Sequence, residues 1–203
     1  PLRELSASAH EHNALVMVDN TLMSPCLQRP LELGVDLVLH SATKSLGGHS
    51  DLVAGVVVVK DGELAGRLRQ VQNSVGAVLG PYDSWLVVRG MKTLGVRLSQ
   101  AQTSAGAIAH WLSERPEVER VFYPGLESHE GWTVHRSQAD GPGTVLSFLL
   151  RTDISPARFF ENLSVWTLAV SLGAVESLIA QPAYMTHASY PKELRDKLGV
   201  TDN

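Results

Sequence analysis

The chain has one cysteine, no long hydrophobic run and no excess of basic residues, and each absence excludes a class of protein. One cysteine in 203 residues excludes an intrachain disulfide and suits a reducing compartment. No run of 18 apolar residues is available to cross a membrane, so no membrane partner is expected. The formal net charge of -4, without a dense Lys/Arg face, argues against nucleic acid as a partner. A small molecule is therefore the expected ligand.

Two short apolar runs predict strands that end at the same edge of a sheet. Residues 15–18 form the first run, which Asp19 follows, and residues 36–41 form the second, which ends at Ser41. The segment between them is too long for a hairpin and closes with Gly34, which suits a helix C-terminus, so the strands are predicted to be buried parallel neighbours in a βαβ unit. Open α/β sheets bind ligands at the edge where such strands end.

Four side chains at this predicted edge have the chemistry that pyridoxal phosphate requires. Lys44 offers an amine that can form a Schiff base with the cofactor and later move protons. Asp19 can pair with the pyridine nitrogen and favour the protonated ring, which then accepts electrons more readily. Ser41 and Thr43, two apart on a segment predicted to be extended, point to one side and can donate to phosphate oxygens. Lys44 is thus the candidate catalytic residue, and all four are candidate cofactor-binding residues.

Each of these residues also has an ordinary structural interpretation. A lysine after a strand is usually solvated, an aspartate at a strand end often caps a turn, and Gly-Gly-His at 47–49 is a common turn sequence. The combination of Ser-Ala-Thr-Lys at 41–44 with Gly-Gly-His-Ser-Asp at 47–51 is far less common. The combination therefore favours the cofactor site.

The chain resembles the Cys/Met metabolism family of pyridoxal-phosphate enzymes along nearly its whole length. The segments that carry the resemblance are, in order, 18–21, 27–34, 41–51, 72–76, 85–94, 169–178 and 185–189. The resemblance implies an α/β fold of the aspartate aminotransferase-like kind (fold type I), in which part of a large domain precedes a small α+β C-terminal domain. It also implies pyridoxal 5'-phosphate as the cofactor and gives Lys44, Asp19, Ser41 and Thr43 the roles argued above.

The resemblance adds expectations that the residues alone do not supply. Ser171 matches the family serine that helps receive the substrate carboxylate. Family members are dimers of dimers with sites shared across subunits, which implies a homotetramer. They are also about twice as long, so the chain is expected to be truncated at both ends, to lack the arginine that clamps the substrate carboxylate, and to be inactive alone.

The two expected domains divide near Lys92. Residues 1–91 are expected to be the C-terminal part of the cofactor-binding domain, with a third buried strand at 54–60 and an amphipathic segment at 61–73. Residues 92–203 are expected to be most of the small domain. Its predicted elements are strands at 118–123, 144–150 and 166–170 and a helix at 156–163. Between these groups lies a long helical region, 81–112, whose apolar spacing is carried by Trp85, Val88 and Met91 and by Ile108, Trp111 and Leu112.

The resemblance implies a carbon–sulfur lyase that acts on a small amino acid. Segments 20–25 and 136–148 are similar to plant-type and some bacterial cystathionine β-lyases, which split L-cystathionine into homocysteine, pyruvate and ammonia, and Val170 before Ser171 also favours this subgroup. Many γ-synthases and γ-lyases carry glutamate at that position, whereas methionine γ-lyase tolerates valine. Cystathionine γ-synthase, cystathionine γ-lyase, methionine γ-lyase and O-acylhomoserine sulfhydrylase therefore remain alternatives, as does a catalytically silent fragment.

Other residues invite functional interpretations that the sequence does not support. The eight histidines have no acidic or cysteine companions at a recurring metal-ligand spacing, so no metal is expected. Cys26 is expected to pack in the core or to line the site rather than to attack substrate. The expected location is the cytoplasm, or a plastid if a transit segment precedes the chain.

Overall fold

The computed structural model describes residues 1–203 as a mixed α/β chain. The helices are α1 (Leu2–Glu11), α2 (Ser24–Leu27), α3 (Gly62–Val75), α4 (Pro81–Met91), α5 (Leu94–Ser113), α6 (Trp132–Gln138), α7 (Pro156–Glu161) and α8 (Lys192–Lys197), with a 3₁₀ helix at Pro30–Leu33. The strands are β1 (Met17–Asp19), β2 (Leu37–Ser41), β3 (Gly55–Val59), β4 (Val118–Phe122), β5 (Ser147–Leu150), β6 (Thr167–Leu168) and β7 (Leu178–Ile179). No helix has the length and apolar character needed to cross a membrane.

The first sheet has the order β1-β2-β3 and positions the predicted site. Strands β1 and β2 are parallel, with Asp19 opposite Leu39, as the sequence predicts. Strand β3 runs antiparallel to β2, with Gly55 opposite Ser41. The crossover from β1 to β2 consists of α2 and the 3₁₀ helix, which ends at Gly34 in the left-handed conformation (φ +92°). Strands β1 and β2 therefore end at one edge of the sheet.

Only the central strand of this sheet is buried, so the prediction of three buried strands is wrong for β1 and β3. Val38 in β2 is 3% exposed, whereas Met17 in β1 is 61% exposed and Val57 and Val58 in β3 are 46% and 41% exposed. The reason is position: β2 has a strand on each side, while β1 and β3 are edge strands. An apolar run predicts the strand but not its neighbours.

The predicted long helical region is two helices, which meet at Lys92 and Thr93. In α4 the buried positions are Val87 and Gly90, whereas Trp85, Val88 and Met91 are exposed, so the apolar spacing marks the outer face. The cause is a close backbone contact: a Cβ on Gly90 would overlap the carbonyl oxygen of Gly47. The side of α4 that carries Gly90 therefore packs against the segment after β2, where the missing side chain allows the two backbones to approach closely. A core cluster surrounds this contact and comprises Leu27, Ala42, Leu46, Leu52, Val87, Leu94 and Leu98.

The second half of the chain contains two small sheets. Strands β4 and β5 are antiparallel, and α5 packs on β4. A second core cluster comprises Ala105, Ala109, Tyr123 and Leu126. Strands β6 and β7 form a short parallel pair, so the strand expected at 166–170 has only two residues. The predicted division at residues 91 and 92 coincides with the junction of α4 and α5 and stays a prediction.

Candidate active site

Lys44 lies on a compact turn that follows β2 directly. The Lys44 N–H donates to the Ser41 carbonyl at 3.1 Å, and the Gly48 N–H donates to the Lys44 carbonyl at 2.8 Å. The Gly47 N–H donates to the Ala42 carbonyl, also at 2.8 Å. Residues 41–48 are called the lysine turn below. Because its own backbone bonds close it, the lysine turn holds the position from which the Lys44 side chain leaves.

A chain of hydrogen bonds links Asp19 to the lysine turn through Thr21. The Thr21 N–H donates to Asp19 Oδ1 at 2.9 Å, and the Ser41 N–H donates to Thr21 Oγ1 at 2.7 Å. Ser41 in turn accepts from the Lys44 N–H. The ends of the parallel strands β1 and β2 are therefore joined side by side, as the edge argument predicts.

At this edge of the sheet the ionised carboxylate of Asp19 lies near the neutral imidazole of His40. The hydroxyl and the backbone N–H of Thr21 hold the pKa of Asp19 below its ordinary value, so its carboxylate stays ionised at neutral pH. Burial lowers the pKa of His40, and the Asp19 carboxylate opposes that shift only in part. His40 is 4% exposed and stays neutral at pH 7. Asp19 is therefore the ionised member of the pair.

Lys44 meets a second segment of the chain at Ser171. Lys44 Nζ donates to Ser171 Oγ at 3.2 Å, although the two residues are 127 positions apart. Ser171 has φ +138°, a conformation that costs a non-glycine residue energy and that its surroundings must hold. Residues 171–177 therefore form a second wall beside the amine.

Two further contacts fix that wall, one against the lysine turn and one against Ser50, two residues after it. Gly173 has φ +81°, and a Cβ there would lie 2.6 Å from the Ser45 backbone nitrogen, so only glycine fits. Ser50 Oγ donates to Glu176 Oε2 at 3.1 Å. The wall is thus held both by close packing and by a hydrogen bond.

The local geometry at Thr43 differs from the prediction. Residues 42–47 form turns, so Ser41 and Thr43 do not lie on one extended segment. The Thr43 hydroxyl accepts from the Ala54 N–H at 3.0 Å and donates to the Ala54 carbonyl oxygen at 3.4 Å. Gly47 closes this turn, because a Cβ at that position would lie 2.8 Å from the Ala42 carbonyl oxygen. A phosphate contact by Thr43 would have to share its hydroxyl with Ala54.

The structure also corrects one residue and adds two. Cys26 is exposed and does not pack in the core, whereas the expectation that it lines the site stays a prediction. Sequence reasoning gave no role to Thr21 or Glu176. A threonine two residues after an aspartate at a strand end is a recognisable turn signal, whereas the contact of Glu176 with Ser50 depends on tertiary structure.

The donor set at this edge fits pyridoxal phosphate. Lys44 supplies a primary amine, Asp19 a carboxylate with a lowered pKa, and Ser41 and Thr43 hydroxyls. An amine can bond the cofactor aldehyde, an ionised carboxylate suits the ring nitrogen, and hydroxyls suit a phosphate. Ser171 adds a polar group within reach of the amine.

Comparisons with known proteins agree with this chemistry. The family model described as Cys/Met metabolism PLP-dependent enzyme matches residues 2–203. A cystathionine beta-lyase of Lactococcus lactis subsp. cremoris is 53% identical over 201 residues, which is 99% of this chain and 53% of that protein. A cystathionine gamma-lyase of Bacillus subtilis is 50% identical over 194 residues, which is 96% of this chain and 51% of that protein.

A solved structure gives the same result for the fold. The cystathionine gamma synthase of Xanthomonas oryzae pv. oryzae, in complex with cystathionine, superposes with a TM-score of 0.94 at 45% identity. The match covers 99% of this chain and 52% of that one, so the chain spans about half the length of the relatives it matches. Its fold is that of the fold type I pyridoxal-phosphate enzymes. The chain belongs to the Cys/Met metabolism family of pyridoxal-phosphate-dependent enzymes.

Proposed function

We propose that the protein cleaves the carbon–sulfur bond of L-cystathionine by β-elimination, with Lys44 as the catalytic residue. The observation that carries this proposal is the contact of Lys44 Nζ with Ser171 Oγ at 3.2 Å. It places the amine between the strand edge that ends at Asp19 and Ser41 and the wall that begins at Ser171. An amine so placed can bind the cofactor and move the substrate Cα proton from one position.

The residues divide the work by their chemistry. Lys44 anchors the cofactor and takes the proton from the substrate Cα. Asp19 would pair with the ring nitrogen, because its lowered pKa keeps the carboxylate ionised. When bound, pyridoxal phosphate withdraws electrons from the substrate Cα. Ser41 and Thr43 would donate to the phosphate, and for this the Thr43 hydroxyl would have to turn its hydrogen away from the Ala54 carbonyl oxygen, to which it donates at 3.4 Å.

Ser171 is proposed to receive the substrate carboxylate. Its hydroxyl lies next to the Lys44 amine, so a carboxylate bound there sets the substrate Cα near Nζ. After Lys44 removes the Cα proton, the Cβ–S bond breaks and the sulfur leaves with the bonding electrons as homocysteine thiolate. Water then converts the remaining three-carbon unit into pyruvate and ammonia.

The choice of β-elimination rests on the local sequence and on the relatives. Val170, which precedes Ser171, is 54% exposed, and many γ-synthases and γ-lyases have glutamate at that position. A cystathionine beta-lyase is among the most similar proteins at 53% identity, but a cystathionine gamma-lyase follows at 50%. Cleavage at the γ carbon is therefore the second candidate, because the same amine can remove a proton from Cβ as well as from Cα.

We place the protein in the cytoplasm and propose that it works as a homo-oligomer with shared sites. The single cysteine supports a reducing compartment. The exposed apolar side chains of α4, described above, support contact with another subunit.

Product analysis with L-cystathionine tests this function. The full-length protein loaded with pyridoxal phosphate should release homocysteine and pyruvate in equal amounts. Release of cysteine with 2-oxobutyrate would instead identify γ-elimination. Absence of any thiol release, with the cofactor bound, would overturn the lyase assignment.

A further inference from the structure

Arg97 in α5 contacts the lysine turn and the residues around it through all three nitrogens of its guanidinium. Nη1 donates to the Ser45 carbonyl at 2.9 Å, Nη2 to the Gly90 carbonyl at 2.9 Å, and Nε to Thr93 Oγ1 at 3.1 Å. All three acceptors are neutral oxygens. This planar group therefore acts as a three-way connector, for which the fixed fork of arginine is suited and a lysine amine is not.

The three acceptors lie on the elements that meet behind Lys44. Ser45 follows the lysine directly and is 2% exposed. Gly90 lies near the end of α4, and its backbone packs against Gly47 in the lysine turn. Thr93 precedes α5. Arg97 thus fastens the lysine turn to the junction of the two helices.

The fit around the guanidinium depends on glycine in the lysine turn. A Cβ on Gly48 would overlap Arg97 Nη1, and Gly48 has φ +73°. Arg97 therefore occupies the space that the missing side chain leaves. Burial lowers the pKa of Arg97, and an arginine keeps its charge in proteins at neutral pH.

We propose that Arg97 is a positioning residue that fixes the backbone of the lysine turn and thereby sets the direction of Lys44 Nζ. It acts through Ser45 and contacts neither Ser171 nor Asp19. This inference rests on the proposed function of Lys44. Loss of the connector should leave the amine able to bond the cofactor but misdirected toward the substrate Cα.

The test compares Arg97→Lys and Arg97→Gln with Arg69→Gln, an exposed arginine of α3, in the full-length protein. In the cofactor-free protein, amide hydrogen exchange at Gly47 and Gly48 should become about tenfold faster in both Arg97 variants. With cofactor, kcat on L-cystathionine should fall about 10- to 100-fold while KM changes little, because orientation rather than binding is lost. The Arg69 variant should match the wild type in both measurements.

Two results would overturn the inference. One is wild-type exchange at Gly47 and Gly48 in both Arg97 variants. The other is full recovery of exchange protection and kcat by Arg97→Lys, which would show that charge alone is needed. If either Arg97 variant fails to fold, Thr93→Val, which removes one of the three contacts, should give an intermediate rise in exchange, and an unchanged rate would contradict the inference.

The same experiment separates this inference from the proposed function. The lysine–cofactor linkage is read by its visible absorbance in the wild type and in every variant. Its absence from the wild type would defeat the proposed function, whereas its presence in all variants with unchanged exchange and kcat would defeat only the role of Arg97.

Discussion

Lys44 Nζ donates to Ser171 Oγ at 3.2 Å, and this contact joins the end of a parallel strand to a segment 127 residues later. Next to this contact Gly173 packs closely against Ser45, where a Cβ would lie 2.6 Å from the Ser45 backbone nitrogen. The candidate active site is therefore a product of tertiary packing as well as of local sequence. Its predicted behaviour follows from the contacts that hold these two residues.

Asp19→Asn should separate cofactor attachment from proton removal. The amide keeps a similar shape but loses the negative charge, so the lysine linkage should form while kcat falls about 10²-fold or more. Asp61→Asn is the matched control, because Asp61 caps α3 by accepting from the Leu64 N–H at 2.7 Å. The control should leave kcat unchanged and cost at most about 1 kcal/mol of stability. Normal turnover of Asp19→Asn would reduce Asp19 to a turn cap.

Gly173→Ala should destabilise the site by overlap as well as by backbone strain. The new Cβ would lie 2.6 Å from the Ser45 nitrogen, so the wall must move away from Lys44. Gly199→Ala is the control, because Gly199 also has positive φ (+73°) but no atom within 4 Å of a new Cβ. The control should lose about 1 kcal/mol, and Gly173→Ala about 2–4 kcal/mol together with most activity. Equal melting temperatures for the two variants would show that the close approach is unimportant.

His40 should make the protein less stable as the pH falls below about 6.5. Its pKa is lowered in the folded state by burial, so the unfolded chain binds the proton more tightly. The stabilisation from neutral His40 is complete above the unfolded pKa of 6.5 and is lost as the pH falls toward the lower folded value. In His40→Gln this loss should disappear, so the stability difference between wild type and variant should shrink between pH 7.5 and about 5 in urea titrations. A pH-independent difference would contradict burial of a neutral His40.

The outer face of α4 should drive association. Tyr82, Trp85, Val88 and Met91 are 69%, 56%, 52% and 42% exposed and spread over the half of the helix that does not contain the buried Val87 and Gly90. Trp85→Gln should weaken self-association by about tenfold in sedimentation velocity, since large aromatic side chains dominate interfaces. Val71→Gln, on the exposed face of α3, should have little effect. A monomer at high concentration, with Trp85 intact, would argue against this face as an interface.

Local sequence was sufficient to predict the edge that carries Asp19, Ser41 and Lys44. Apolar runs identify β1 and β2, the crossover ending at Gly34 makes them parallel, and the positions of polar residues after the strands then follow. These inferences depend only on neighbouring residues and on a general rule of sheet geometry. These predictions therefore need no knowledge of how the rest of the chain packs.

The errors arose where a distant contact decides the structure. The apolar spacing of Trp85 and Val88 predicts a helix but not which of its faces is buried, and in the structure the backbone of Gly90 packs on Gly47 while those side chains are exposed. Thr43 was predicted on an extended segment, whereas the lysine turn directs its hydroxyl to Ala54. The hydrogen bond from Arg97 to the Ser45 carbonyl cannot be predicted from local sequence, because the two residues are 52 positions apart.

The most direct test of the account is to locate the cofactor linkage on the chain. The full-length protein loaded with pyridoxal phosphate is reduced with borohydride, digested and mapped by mass spectrometry, alongside Lys44→Ala and the exposed control Lys60→Ala. The account predicts the reduced cofactor on the peptide that contains Lys44 in wild type and in Lys60→Ala. Lys44→Ala should remain folded, lose the label and lose activity by several orders of magnitude. A label on another lysine, or turnover by Lys44→Ala without added amine, would contradict the account.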